Sequence, residues 1–202
     1  MGRKQNRAYK KGEPYRDYRK FVIIAEGERE DDYFLQFNSV SSRIQIIIVE
    51  REGGKSAVKY FLERAEKYID KYGLLPEDYL WFVLDIDRWP REQINDLAIA
   101  CEKEKNWKIA ISNPCFEVWL YYHFKKVIPK NLDTCKSLKY AVGNLDNGGY
   151  NPKVFAREIH KATVNSKRKD LHPEKFYPDL NVTKLYSLAE EMLSLLGNSW
   201  KI

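Results

Sequence analysis

Short apolar runs alternate with longer amphipathic stretches along the first half of the chain. Phe21-Val22-Ile23-Ile24-Ala25 contains no polar residue, and Tyr79-Leu80-Trp81-Phe82-Val83-Leu84 is almost as apolar. Ile44-Gln45-Ile46-Ile47-Ile48-Val49 is nearly all β-branched, and Trp107-Lys108-Ile109-Ala110-Ile111 follows the same theme. Short runs rich in β-branched and aromatic residues read as buried strands. The pattern predicts strands at 21–26, 44–49, 79–85 and 107–111. Between them apolar residues recur at helical spacing, which predicts helices at about 29–38, 55–72 and 91–105. Gly73 lies where the second of these needs a C-cap. Strands alternating with helices imply parallel pairing through right-handed crossovers, hence an α/β sheet covered on both faces.

After residue 113 the pattern becomes helical. Asn113 suits an N-cap and Pro114 the first helical position. Phe116, Trp119, Leu120, His123 and Phe124 then mark a core-facing stripe over 114–126. The stretch 128–150 reads as a helix between loops, closing on the turn Asp146-Asn147-Gly148-Gly149. Two further helices are expected at about 151–166 and 182–196. The expected architecture is a core of four parallel strands at about 20–126, with helical additions at about 127–202.

Composition narrows the class. With 202 residues, 44% of them apolar, the chain can build one domain with a sizeable core. It holds no apolar run of membrane-spanning length, and no apolar segment follows the basic N-terminus as a secretory signal would require. Cys101, Cys115 and Cys135 are widely spaced and form no CxxC pair, so free thiols in a reducing cytoplasm are expected.

Charge adds one feature. Residues 1–20 hold eight Lys and Arg against Glu13 and Asp17, an excess equal to the net charge of the whole chain, +6. Residues 1–19 lack apolar periodicity and read as a mobile tail. Interleaved with Tyr9, Tyr15 and Tyr18, the tail suits a phosphate backbone or stacked bases, and equally a solubilising leader.

The candidate chemistry sits where strands end. Glu26 closes the first strand, and Asp85 and Asp87 close the third. In open α/β sheets, sites form beyond the carboxyl ends of strands. Two residues apart on an extended backbone, Asp85 and Asp87 would point to one side. Carboxylates gathered there repel one another unless a cation shares them, and a few carboxylates plus waters suit Mg²⁺ or Mn²⁺. Gly27 lets the chain turn out of the strand, and Glu30 is four residues from Glu26 and so can reach the same edge. Glu117, one turn into the 114–126 helix, can complete a second ion site. Asp31 and Asp32 are read as first-turn helix acids.

Candidate phosphate contacts lie elsewhere. Gly53-Gly54-Lys55-Ser56 opens a helix as a P-loop does, but Val49 stands where that motif needs its first glycine. Lys55 and Ser56 are therefore expected to hold a single nucleic-acid phosphate at most. Lys153, Lys161, Lys167, Arg168 and Lys169 form a later basic band. Trp89, just past the DxD edge, is a candidate for base stacking, and His123 reads as a core histidine.

EGERE after one strand and DID after another resemble the TOPRIM motif of topoisomerases, primases and OLD-type nucleases. More narrowly, FVIIAEGEREDDYF, YLWFVLDIDRW and ISNPCFEVWLYYHF together resemble the RloB-like family. The resemblance implies a TOPRIM-like fold and a Mg²⁺- or Mn²⁺-dependent nuclease in bacterial antiviral defence. It implies a partner ATPase of the ABC/SMC type and leaves homo-oligomers open. It assigns Glu26 as acid/base or metal-organising residue, and Asp85 and Asp87 as metal ligands. Glu30 and Glu117 match further acidic positions. A second reading of the same residues is a non-cleaving regulatory or nucleic-acid-binding subunit of an ATPase complex. A third makes Asp85 a phosphate-accepting nucleophile.

Overall fold

The computed structural model describes residues 16–51, 53 and 57–197. Strands β1 (Arg19–Ala25), β2 (Ile44–Ile48), β3 (Tyr79–Asp85) and β4 (Trp107–Asn113) fall where the apolar runs lie. They form one sheet in the order β2-β1-β3-β4, parallel throughout. A fifth strand, β5 (Val182–Thr183), pairs antiparallel with the end of β4. The sheet is thus five-stranded and mostly parallel, not four-stranded. A two-residue strand carries no periodicity, so the sequence hid it inside the expected 182–196 helix.

Alternation along the strands divides the interior. Phe21, Ile23, Ala25, Trp81 and Val83 face one cluster, and Val22, Ile24, Leu80, Phe82 and Leu84 face the other. Helices α2 (Phe61–Tyr72) and α3 (Arg91–Glu102) cover the second face, through Phe61, Ala65, Ile94 and Leu97. Helix α1 (Glu28–Leu35) lies on the first face. With it stand α4 (Glu117–Tyr122), α5 (Cys135–Gly143), α6 (Pro152–Arg157), α7 (Ile159–Lys169) and α8 (Leu185–Leu196). Helices therefore cover the apolar side chains of both faces, which is why the central β1 and β3 runs lack polar breaks. The helical additions belong to this core. Leu138, Phe155, Ile159, Leu188 and Met192 join the same cluster as β1 and β3 residues.

Local chemistry sets the helix boundaries. Gly73 caps α2 with φ 68°, as the pattern predicts. Thr134 and Ser137 form a capping box at the start of α5. Asn151 caps α6, with Pro152 in its first turn. The expected 151–166 helix is broken at Glu158, between α6 and α7.

The junction after β4 differs from expectation. Asn113 is not a helix cap. It ends the strand, is followed by a cis bond to Pro114, and its Nδ2 donates to the Pro178 carbonyl at 2.8 Å. Its carbonyl accepts from the Asn181 N–H at 2.8 Å. These bonds tie the junction to the segment leading into β5, and the helix starts only at Glu117.

His123 is the core histidine its apolar stripe implies. Its Nδ1 meets the Trp119 carbonyl and its Nε2 the Tyr33 hydroxyl, each at 2.9 Å. Complete burial lowers its pKa to about 3.

A candidate cation site at the carboxyl edge

The strand order reverses between β1 and β3. From β1 the chain crosses outward to β2, and from β3 it crosses the other way to β4. Such a switch point leaves a crevice beyond the strands' carboxyl ends. Glu26 follows β1 there and Asp85 ends β3. The Asp85 N–H donates to Glu26 Oε1 at 2.7 Å, locking the two strand ends together.

A cavity of about 220 Å³ opens at this point. Glu26, Glu30, Asp85 and Glu117 all line it, with Arg29, Arg88, Lys139, Cys115 and Cys135. Four sequence-predicted acids from β1, α1, β3 and α4 thus meet in one place. Only 5% of Glu26, 7% of Glu30 and 2% of Glu117 is exposed. Asp85 keeps partial access to solvent through the cavity. A Cβ at Gly27 would stand 2.7 Å from Glu30 Oε2, so a larger residue there would push the Glu30 carboxylate aside. The glycine in EGERE thus leaves room for the Glu30 carboxylate.

The electrostatics are those of anions short of countercharge. Burial raises the Glu26 pKa from 4.5 to about 7, aided by Glu30 and opposed by the Asp85 N–H. Among the described residues Glu26 Oε2 makes no well-formed hydrogen bond, and the nearby Trp89 indole N–H, itself without one, offsets part of the upward shift. Burial also raises Glu30 to about 7, with Glu117 and Asp31 adding repulsion. Asp85 is pushed well above the usual aspartate range by burial first, then by Glu26, Glu30, Glu117 and Asp87. Desolvation and mutual repulsion act in the same direction at every one of these three groups.

Other predicted residues fall around this centre or away from it. The chain bends directly after β3, so Asp87 is exposed and does not extend the strand. Asp87 Oδ2 accepts from the Cys135 thiol at 2.8 Å, which places it beside the cavity wall. Trp89 packs on the α2/α3 side of the sheet. Lys153, Lys167, Arg168 and Lys169 are exposed and do not line the cavity, and Lys167 Nζ pairs with Glu190 at 2.6 Å. Lys55 and Ser56, like the basic stretch 1–15, lie outside the described residues.

The structure adds residues that pattern reading missed. Arg29 Nη1 meets Glu117 Oε1 at 2.8 Å, and its guanidinium lies 4.9 Å from the Tyr150 ring centre. Arg51 meets Asp31 at 2.6 Å, and Arg64 donates to the Ala25 carbonyl at 3.1 Å and to the Val49 carbonyl. Cys135 and Lys139, one turn apart on α5, close the cavity from the helical additions. Arg29 was visible inside EGERE, but nothing local distinguished it from a solvated side chain. Cys135, Lys139 and Tyr150 are distant in sequence from the acids, and only the fold joins them.

Among the described residues, no three carboxylate, imidazole or thiol groups converge closely enough to hold an ion. The donor chemistry nevertheless fits a hard divalent cation: oxygen ligands, a buried Glu26 Oε2 without a well-formed hydrogen bond, and repulsion that such an ion would relieve.

The fold and this edge define a class: an α/β protein with a mostly parallel five-stranded sheet and a carboxylate-lined crevice at its switch point. The family model described as "RloB-like protein" matches residues 21–192. The chain belongs to the RloB-like family. No curated protein and no solved structure matches it. No helix among the described residues is long and apolar enough to cross a membrane.

Proposed function

We propose that this protein is a divalent-cation-dependent phosphodiesterase acting on DNA or RNA. One observation carries the reading: Glu26, Glu30, Asp85 and Glu117 share one small cavity at the sheet's switch point, where burial and mutual repulsion oppose their ionised forms. Glu26, Asp85 and Glu117 would hold the ion, with Asp87 at the rim and Glu30 orienting a water or a second ion. A bound Mg²⁺ or Mn²⁺ supplies an activated water and stabilises charge on the leaving oxygen. The TOPRIM-like relationship, the role in antiviral defence and the partner ATPase of the ABC/SMC type that the sequence resemblance implies belong to the same proposal.

The test pairs binding with turnover. The Asp85→Asn, Asp87→Asn double variant should keep its fold and lose Mn²⁺ binding in a calorimetric titration. Its cleavage of mixed DNA and RNA substrates should fall by about a thousandfold or more. Retained cleavage in that variant rejects the assignment.

A non-cleaving regulatory subunit is favoured by one feature, the lack of a converged three-donor cage among the described residues. The same assay with and without the partner ATPase separates the two. Cleavage only in the complex marks a gated nuclease, and none in either state marks a regulator.

A further inference from the structure

We propose that Arg29 stands in the cation's place while the cavity is free of divalent ions, and passes to a substrate phosphate once an ion is held. The inference rests on the metal-dependent reading above and extends it to a residue that reading leaves without a role.

Glu117 is almost wholly buried, and a buried carboxylate requires a countercharge. Arg29 provides it through Nη1 at 2.8 Å. The pair is asymmetric: the Glu117 side chain is 3% exposed and that of Arg29 36%. Arg29 thus reaches in from the cavity's mouth. Its backbone is held independently, since the Tyr150 hydroxyl donates to the Arg29 carbonyl at 3.2 Å. The guanidinium rests against the Tyr150 ring and is anchored at its tip by Glu117 alone among these contacts. The side chain can therefore pivot without disturbing α1.

A divalent ion and a guanidinium compete for Glu117, because both draw on its one negative charge and repel each other at close range. Ion binding and the Arg29–Glu117 pair therefore oppose each other by linkage. Once displaced, the guanidinium lies at the mouth of an anionic pocket. Its planar fork matches two phosphate oxygens, and the Tyr150 face keeps it oriented. The same motion that admits the ion thus frees the group that receives the phosphodiester.

The experiment sets two readouts against each other on the full chain. Arg29→Met should bind Mn²⁺ about fivefold or more tightly than the wild type by calorimetry, because the competitor is gone. Its nucleic-acid cleavage should nevertheless fall about a hundredfold, because the phosphate clamp is gone too. A merely structural arginine would weaken both. Equal or weaker Mn²⁺ binding by Arg29→Met overturns the proposal while leaving the metal site intact. Failure of the wild type to take up Mn²⁺ at all removes the metal site itself, and the proposal with it. Should Arg29→Met not fold, the wild type still decides the matter. Its Arg29 Nε–H resonance, assigned by its loss in Arg29→Lys, should shift on Mg²⁺ addition. A resonance unmoved at saturating Mg²⁺ overturns the exchange.

Discussion

Buried carboxylates occupy both ends of this sheet and are treated in opposite ways. At the amino edge Asp78, 1% exposed, is fully engaged. It accepts from the Lys20 N–H at 2.8 Å, the Leu75 N–H at 3.3 Å and both terminal nitrogens of Arg16. At the carboxyl edge Glu26, Glu30 and Asp85 crowd one cavity with pKa values driven upward and Glu26 Oε2 without a well-formed hydrogen bond. Burial alone therefore does not mark function. Burial without compensation does, because a stability-selected carboxylate acquires partners and an ion-binding one must keep lone pairs free. Asp170 belongs with Asp78: it joins Lys184 Nζ at 2.5 Å and the Tyr186 hydroxyl at 2.6 Å.

The largest expected effect tests the satisfied end. Asp78→Ala removes the countercharge of Arg16 and leaves two backbone N–H groups without their acceptor. It should destabilise the fold by about 3–5 kcal/mol in chemical denaturation, the usual cost of breaking a buried pair. A loss below about 1 kcal/mol would erase the contrast between the two edges.

The next effect runs the other way. Without divalent ions, Glu26 and Glu30 hold their protons to about pH 7, while in the unfolded chain they lose them near 4.5. The unfolded chain therefore binds fewer protons across that window, and stability falls as pH rises through it. Each group contributes on the order of 3 kcal/mol, less when the two titrate together. Glu26→Gln keeps the Oε1 acceptor for the Asp85 N–H and removes one of the charges. In ion-free buffer at pH 8 it should be more stable than the wild type, by about 1–3 kcal/mol. Saturating Mg²⁺ should shrink that advantage. A less stable Glu26→Gln at pH 8 would place Glu26 with Asp78 as a structural carboxylate.

The two edges also differed in legibility. At the carboxyl edge β1 and β3 announced themselves through uninterrupted apolar runs, and acids directly after such runs have few structural reasons to be there. Glu26 and Asp85 were readable for that reason, Glu30 through its four-residue spacing from Glu26, and Glu117 through its place one turn into the helix after β4. Asp87 was harder: its position relative to Asp85 depended on whether β3 continued, and the chain bends instead. The cations that complete the cavity were not readable, because an arginine beside acids in sequence looks like an ordinary helix-surface pair. Asp78 gave no signal either. It precedes β3 like any loop aspartate, and its partner Arg16 lies in a stretch without periodicity. β5 escaped because two residues cannot display an alternation.

The smallest effect concerns the basic band on α7. Lys167 and Glu190 approach to 2.6 Å, yet both side chains are more than 40% exposed. Solvent and salt screen such a pair, so Lys167→Ala should change stability by less than about 0.5 kcal/mol. Any value of the band must then show in binding. If Lys167, Arg168 and Lys169 follow a phosphate backbone, replacing all three by alanine should lower the salt dependence of nucleic-acid affinity. The slope of log K against log salt should fall by about 2–3, roughly one for each phosphate left without its cation. Mn²⁺ affinity should stay unchanged, since none of the three lines the acidic cavity. An unchanged slope would remove the band from the nucleic-acid path. Phosphate steering would then fall to Arg29, Arg88 and Lys139 at the cavity itself.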